Sequence, residues 1–74
     1  MRKTFKLQNL ECANCAAKME SDINKIEGVE KASISFMTQK LAITADVDGA
    51  GMEAIVDQAQ SICSKYEPDC AIVR

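Results

Sequence analysis

The 74-residue sequence predicts an α+β sandwich, two helices laid on one face of a four-stranded antiparallel sheet. Three observations carry that expectation. The apolar period changes from two to about 3.6 and back, twice along the chain. The segments so defined run in the order β-α-β-β-α-β. The composition, 47% apolar and 27% charged, is that of a globular chain, and its length suits a single small domain over residues 1–74.

Each element has its own signal. Residues 4–8 alternate, with Phe5 and Leu7 on one face and Thr4, Lys6 and Gln8 on the other, as in a half-buried strand. From Cys15 the period becomes helical: Ala16, Met19, Ile23 and Ile26 share a face, and Lys18, Asp22 and Lys25 face away. Gly28 stands where a helix C-terminal glycine belongs. Residues 29–37 alternate again, with Ala32, Ile34 and Phe36 together, and Thr38-Gln39 can turn the chain. Leu41, Ile43 and Ala45 form the inner face of a third strand, and residues 46–51 are a loop by composition. Met52, Ile55, Val56, Ala59, Ile62 or Cys63, and Tyr66 follow at helical spacing until Pro68 stops the helix. Residues 69–74 read as a short last strand. Two β-α-β halves in this order give the ferredoxin-like, split-βαβ sandwich.

Charge and missing residue types narrow the function. The net charge is −2, from 9 basic and 11 acidic residues with interspersed signs, so nucleic acid is not an expected partner. Polar residues at 4, 6, 8 and 9 break up any signal-like apolar core. No apolar run approaches the ~20 residues that span a bilayer, and the expected location is the cytoplasm. The absence of histidine excludes Cys–His zinc fingers and histidine-dependent nucleophiles. No nucleotide-binding loop or aspartyl-phosphate motif is present, so an enzyme is not expected.

The stretch LECANCAAKME, residues 10–20, holds the chemistry. Cys12 falls in the loop after the first strand and Cys15 in the first turn of the first helix. Free N–H groups and the positive end of the helix dipole there stabilise thiolates. Two thiolates separated by two residues converge on one soft ion at ~2.3 Å. Small neighbours, Ala13, Asn14, Ala16 and Ala17, leave the site open, which suits metal transfer rather than a closed structural zinc. Two other readings stand beside it: two small cysteines that merely pack, and a thiol-disulfide pair. The redox reading lacks the aromatic residue before the pair and the Gly-Pro within it that such domains usually carry.

The loop Cys12-Ala13-Asn14-Cys15, Met19-Glu20 in the helix and Ile26-Glu27-Gly28-Val29 leading into the second strand together resemble a heavy-metal-associated domain. That family includes copper chaperones and the N-terminal domains of heavy-metal P-type ATPases. The resemblance implies that Cys12 and Cys15 bind metal and that the chain passes it on by ligand exchange with a metal-transporting ATPase, in cis or as a partner. Copper members usually carry Gly-Met-Thr or Gly-Met-His before the first cysteine; here the residues are Asn9-Leu10-Glu11, with Leu10 as the inward hydrophobe. An acid at that position resembles the zinc/cadmium/lead-exporting ATPases, in which an Asp joins the cysteines. The resemblance thus makes Glu11 a third metal ligand and Zn(II), Cd(II) or Pb(II) the cargo. The alternatives are a solvated Glu11 and a free-standing Cu(I) chaperone. Two thiolates and a carboxylate around a divalent ion sum to −1, as do two thiolates around Cu(I).

Of the remaining candidates, Cys63 and Cys70 read as core, with Cys70 a conceivable third thiol near the metal loop. Met19 and Met37 read as packing residues rather than thioether ligands. Tyr66, Glu67 or Asp69 could stand in an outer shell of the site. Two open sites can share one ion, so a metal-bridged dimer is a further expectation.

Overall fold

The computed structural model describes residues 1–74 and contains six elements: β1 Arg2–Gln8, α1 Ala13–Ile23, β2 Val29–Ser35, β3 Lys40–Ala45, α2 Gly49–Tyr66 and β4 Ala71–Val73. The strands form one antiparallel sheet in the order β2-β3-β1-β4, and the helices pack on each other and on the sheet. This is the expected ferredoxin-like sandwich. Its core takes Leu7, Leu41, Ile43 and Ala45 from the central strands, Ala16, Met19 and Ile23 from α1, and Met52, Ile55, Val56, Ala59 and Cys63 from α2. No polar or charged side chain is buried among them.

Polar residues of the helices and of the α1 C-cap seal the sheet's two outer strands, whose free backbone groups would otherwise invite pairing. Asn24 donates to Ala32 O and accepts from Ala32 N, both at 2.8 Å, and Glu20 accepts from Ile34 N at 2.8 Å on β2. Gln60 does the same for β4, donating to Cys70 O at 3.0 Å and accepting from Ile72 N at 2.7 Å.

Several boundaries differ from the sequence reading: β1 already starts at Arg2 rather than at residue 4, and β4 is confined to Ala71–Val73 within residues 69–74. α1 ends at Ile23 rather than running through Ile26, because Asn24 binds Glu20 O and the β2 backbone at once. Ile26 is still buried, from the turn beyond. Gly28 belongs to that turn, where φ is +95°, a left-handed value that favours glycine. β2 stops at Ser35, and Phe36 begins the hairpin turn. α2 starts at Gly49, inside the stretch that composition marked as loop. Asp48 caps it by accepting from Gly51 N at 2.8 Å, and a Cβ on Gly51 would come within 2.8 Å of Val47 Cβ. Gly51 thus serves a close approach to Val47, whereas nothing lies within 4 Å of a Cβ placed on Gly49.

Candidate metal centre

β1 changes partner along its length. Its first part pairs with β3 from Arg2↔Thr44 to Lys6↔Lys40; its end pairs with β4 from Lys6↔Val73 to Gln8↔Ala71. The chain therefore leaves β1 beside the segment that enters β4, and the two loops at this end lie together. Asn9, in the left-handed region at φ 60°, donates from Nδ2 to Asp69 O at 3.2 Å. Leu10 turns inward and is buried, as its apolar character predicts. Glu11 is exposed.

Cys12 is the N-cap of α1. Its Sγ accepts the Cys15 N–H at 3.2 Å, the role a Ser or Asp oxygen usually fills, and its carbonyl accepts from Ala16 N at 3.0 Å. Both cysteines are half-buried at the head of the helix. Their acidities diverge. The Cys15 thiol, and then its backbone N–H, hydrogen-bond to Cys12 and hold its pKa below the ordinary thiol value. The same thiol contact, then burial, pushes Cys15 above it. In the metal-free pair Cys12 therefore gives up its proton more readily than Cys15.

A third group closes on them. Glu67 is the C-cap of α2, with φ −135° and ψ 92°, and its N–H donates to Cys63 O at 2.7 Å. Cys12 Sγ, Cys15 Sγ and a Glu67 carboxylate oxygen all lie within 4.8 Å of one another. Small motion brings three such atoms onto one ion. Next to Glu67, the Tyr66 hydroxyl donates to Asp22 Oδ2 at 2.6 Å, fastening the end of α2 to α1, so Asp22 does not simply face away.

Glu11 is not one of the three converging groups. It lines a cleft of about 230 Å³ with Asn9, Glu67 and Asp69, so Glu67 alone belongs both to the cleft and to the thiol group. The expected pair is brought together, and the acid that joins it comes from the other loop. Glu67 stood in the sequence only as an outer-shell candidate, although the fold pattern already put its loop beside the cysteines. Cys70 is buried and faces Cys63 rather than the metal loop. Met19 is fully buried and Met37 lies exposed in the hairpin turn, so both are outside the site.

The chain matches the family model of the heavy-metal-associated domain over residues 4–66. It is 36% identical over 59 residues to the zinc/cadmium/lead-transporting P-type ATPase of Shigella sonnei, covering 78% of this chain and 8% of that protein. The chain thus spans under a tenth of the length of the curated relatives it matches. The solution structure of the N-terminal domain of ZntA in the apo form superposes with a TM-score of 0.71 at 29% identity, covering 99% of this chain and 92% of that one. The CopZ metallochaperone gives the same TM-score, 0.71, at 18% identity over 99% of this chain and 100% of that one, a likeness of fold. No helix is long and apolar enough to cross a membrane.

Proposed function

The chain belongs to the heavy-metal-associated domain family, and from that premise we propose that it carries a divalent thiophilic ion, Zn(II), Cd(II) or Pb(II), on Cys12, Cys15 and Glu67. One observation supports the divalent reading above the rest: a carboxylate stands within 4.8 Å of both thiol sulfurs. Cu(I) is satisfied by two thiolates in a line and gains little from a hard oxygen, whereas divalent ions take three or four ligands and zinc accepts carboxylate. Two thiolates and Glu67 leave a coordination position open toward the cleft that Glu11 lines. A partner's thiolate or carboxylate enters there and draws the ion away by ligand exchange. Glu11 then acts on the approaching ion through its charge, and not as the third ligand.

The same reading makes the chain a metal-delivery module on the cytoplasmic side of a zinc/cadmium/lead-exporting P-type ATPase. Its likeness to the transporter of Shigella sonnei and to the N-terminal domain of ZntA supports a place in cis; a free carrier serving such a transporter uses the same site. The test is a competition titration of the reduced protein with Zn(II), Cd(II), Pb(II) and Cu(I), beside Glu67→Gln. Tight 1:1 divalent binding that weakens in the variant, with Cu(I) binding unchanged, is the expected result. Strong Cu(I) binding with weak divalent binding, indifferent to Glu67, would make the chain a copper carrier instead.

A further inference from the structure

The backbone just before the cysteines has no strand to pair with. The β1–β3 ladder ends where Leu7 N donates to Gln39 O at 2.7 Å; beyond it the chain turns at Asn9 toward Cys12. Leu10 is nonetheless 2% exposed, so its amide and carbonyl need partners inside the protein. The side chain of Gln39 supplies both. Its Oε1 accepts the Leu10 N–H at 3.1 Å and its Nε2 donates to Leu10 O at 2.6 Å, a paired-amide contact that copies a rung of a sheet. The second Nε2 hydrogen reaches Phe36 O at 3.2 Å, so the carboxamide cannot turn over without losing partners.

Gln39 also sits at φ 54°, a left-handed conformation that costs any residue but glycine, and less for asparagine. A glycine would relieve that cost but could not reach Leu10. The strained backbone and the pair of hydrogen bonds to Leu10 belong to one residue, and Leu10 lies two residues before Cys12.

We propose that Gln39, in the turn between β2 and β3, is a positioning residue of the metal site: its carboxamide holds the Leu10 backbone and so sets where Cys12 stands relative to Cys15 and Glu67. The inference rests on the reading of Cys12, Cys15 and Glu67 as the metal-binding group. It does not make Gln39 a ligand. The cysteine loop is tied on its other side by Asn9 to the loop of Glu67, so loosening Leu10 lets Cys12 move against a fixed Glu67.

The experiment uses the full reduced chain with Cd(II) against a competing chelator, for wild type, Gln39→Gly, Gln39→Asn and Ile43→Val. Gln39→Gly removes the carboxamide and the backbone strain together, and Gln39→Asn keeps the carboxamide but shortens its reach. Ile43→Val loosens the core without touching the loop. Hydrogen exchange at the Leu10 amide and the thiolate charge-transfer absorption of the Co(II) form are read beside affinity. Both Gln39 variants are expected to bind Cd(II) about tenfold more weakly, the usual cost of losing an outer-shell partner, with faster Leu10 exchange and a shifted Co(II) spectrum. Ile43→Val is expected to keep wild-type affinity and spectrum. If Gln39→Gly does not fold, Gln39→Asn decides. Affinity within twofold of wild type in a folded Gln39 variant overturns the inference, as does an equal loss in Ile43→Val. A wild type that binds no Cd(II) overturns instead the reading of the site on which the inference stands.

Discussion

Cys12 and Cys15 sit half-exposed at the head of α1, whereas Cys63 and Cys70 face each other between α2 and β4 with almost no surface. The first pair is spaced i, i+3 across a helix start, where N–H groups point outward and the Cys15 thiol can hold Cys12 as a thiolate. The second pair is spaced i, i+7 across a helix end, and burial pushes the Cys63 thiol up to about 12 and raises Cys70 as well. The same side chain is placed as a candidate ligand in one setting and as a small hydrophobe in the other; backbone dipoles and water decide which. Glu67 stands between the settings, since its N–H donates to Cys63 O and its carbonyl accepts from Cys70 N at 2.9 Å while its carboxylate meets the other pair. The buried pair thus frames the acid whose carboxylate stands beside the exposed one.

The sharpest way to break the comparison is to exchange sulfur for oxygen in each pair. Cys12→Ser/Cys15→Ser is expected to lower divalent affinity at least about a thousandfold, because thiolate ligation supplies most of the binding energy of such sites. Cys63→Ser and Cys70→Ser are expected to keep 1:1 stoichiometry and to cost about 1–3 kcal/mol of stability each, as hydroxyls buried without a designed partner. Isothermal titration and urea unfolding measure the two effects. Loss of binding in a folded Cys63→Ser would mean that the buried pair is not merely framing.

Next in size is reactivity and its dependence on pH. In the metal-free protein, two thiols should react with iodoacetamide freely, Cys12 before Cys15. The other two should wait for unfolding and lag at least about a hundredfold. The buried pair also sets a direction for stability. The folded Cys63 thiol keeps its proton up to about 12 while the unfolded one loses it near the ordinary thiol value of 9.0, so between these values the unfolded state binds fewer protons. Stability is therefore full below about pH 9 and falls as pH rises toward 12. Urea midpoints measured from pH 8 to 10.5 should decline in wild type and decline less steeply in Cys63→Ala, where the raised Cys70 and Tyr66 remain. An equal decline in both would move the cause elsewhere.

Glu67→Gln comes third, with an expected tenfold to hundredfold loss of Zn(II) and Cd(II) affinity and no change for Cu(I). Equal losses for all three metals would assign Glu67 to the fold, through its place between Cys63 and Cys70, and not to the ion.

The two halves of the comparison were unequally legible in the sequence. The exposed pair announced itself by spacing and by its place at a strand–helix junction. Cys63 and Cys70 were legible as core, although spacing alone left Ile62 or Cys63 open, and so was the sheet's inner face at Leu41, Ile43 and Ala45. The sequence reading took the acid adjacent in the chain, Glu11, and named Glu67 only for an outer shell, because adjacency in the chain is visible in a sequence and adjacency in space is not. Glu11 is joined to Cys12 by one peptide bond, yet it is exposed and is not among the three groups that converge within 4.8 Å. Glu67 lies 52 positions after Cys15 and arrives through the β1–β4 pairing. The bounds of α1 and α2 were misjudged for a similar reason. Asn24 and Gly51 act through partners, the β2 backbone and Val47, that no local pattern names.

The smallest expected effect belongs to Glu11→Ala, and it separates two roles that an acid near a metal can have. Glu11 is exposed on the wall of a cleft it shares with Glu67 and Asp69. A carboxylate in that position attracts an incoming divalent ion, but water screens it. Exposed charge pairs are worth about 0.2–1 kcal/mol, which corresponds to a loss of affinity of roughly 1.4-fold to fivefold. A screened interaction also fades as the Debye length shrinks, from about 10 Å at 0.1 M salt to about 3 Å at 1 M. The Glu11→Ala deficit should therefore be visible in association rate at low salt and nearly vanish at 1 M, while the Glu67→Gln deficit persists. Stopped-flow Cd(II) binding at the two salt concentrations checks both. A Glu11→Ala deficit as large as that of Glu67→Gln, and as indifferent to salt, would place its carboxylate on the ion beside the thiolates and turn a three-ligand site into a four-ligand one.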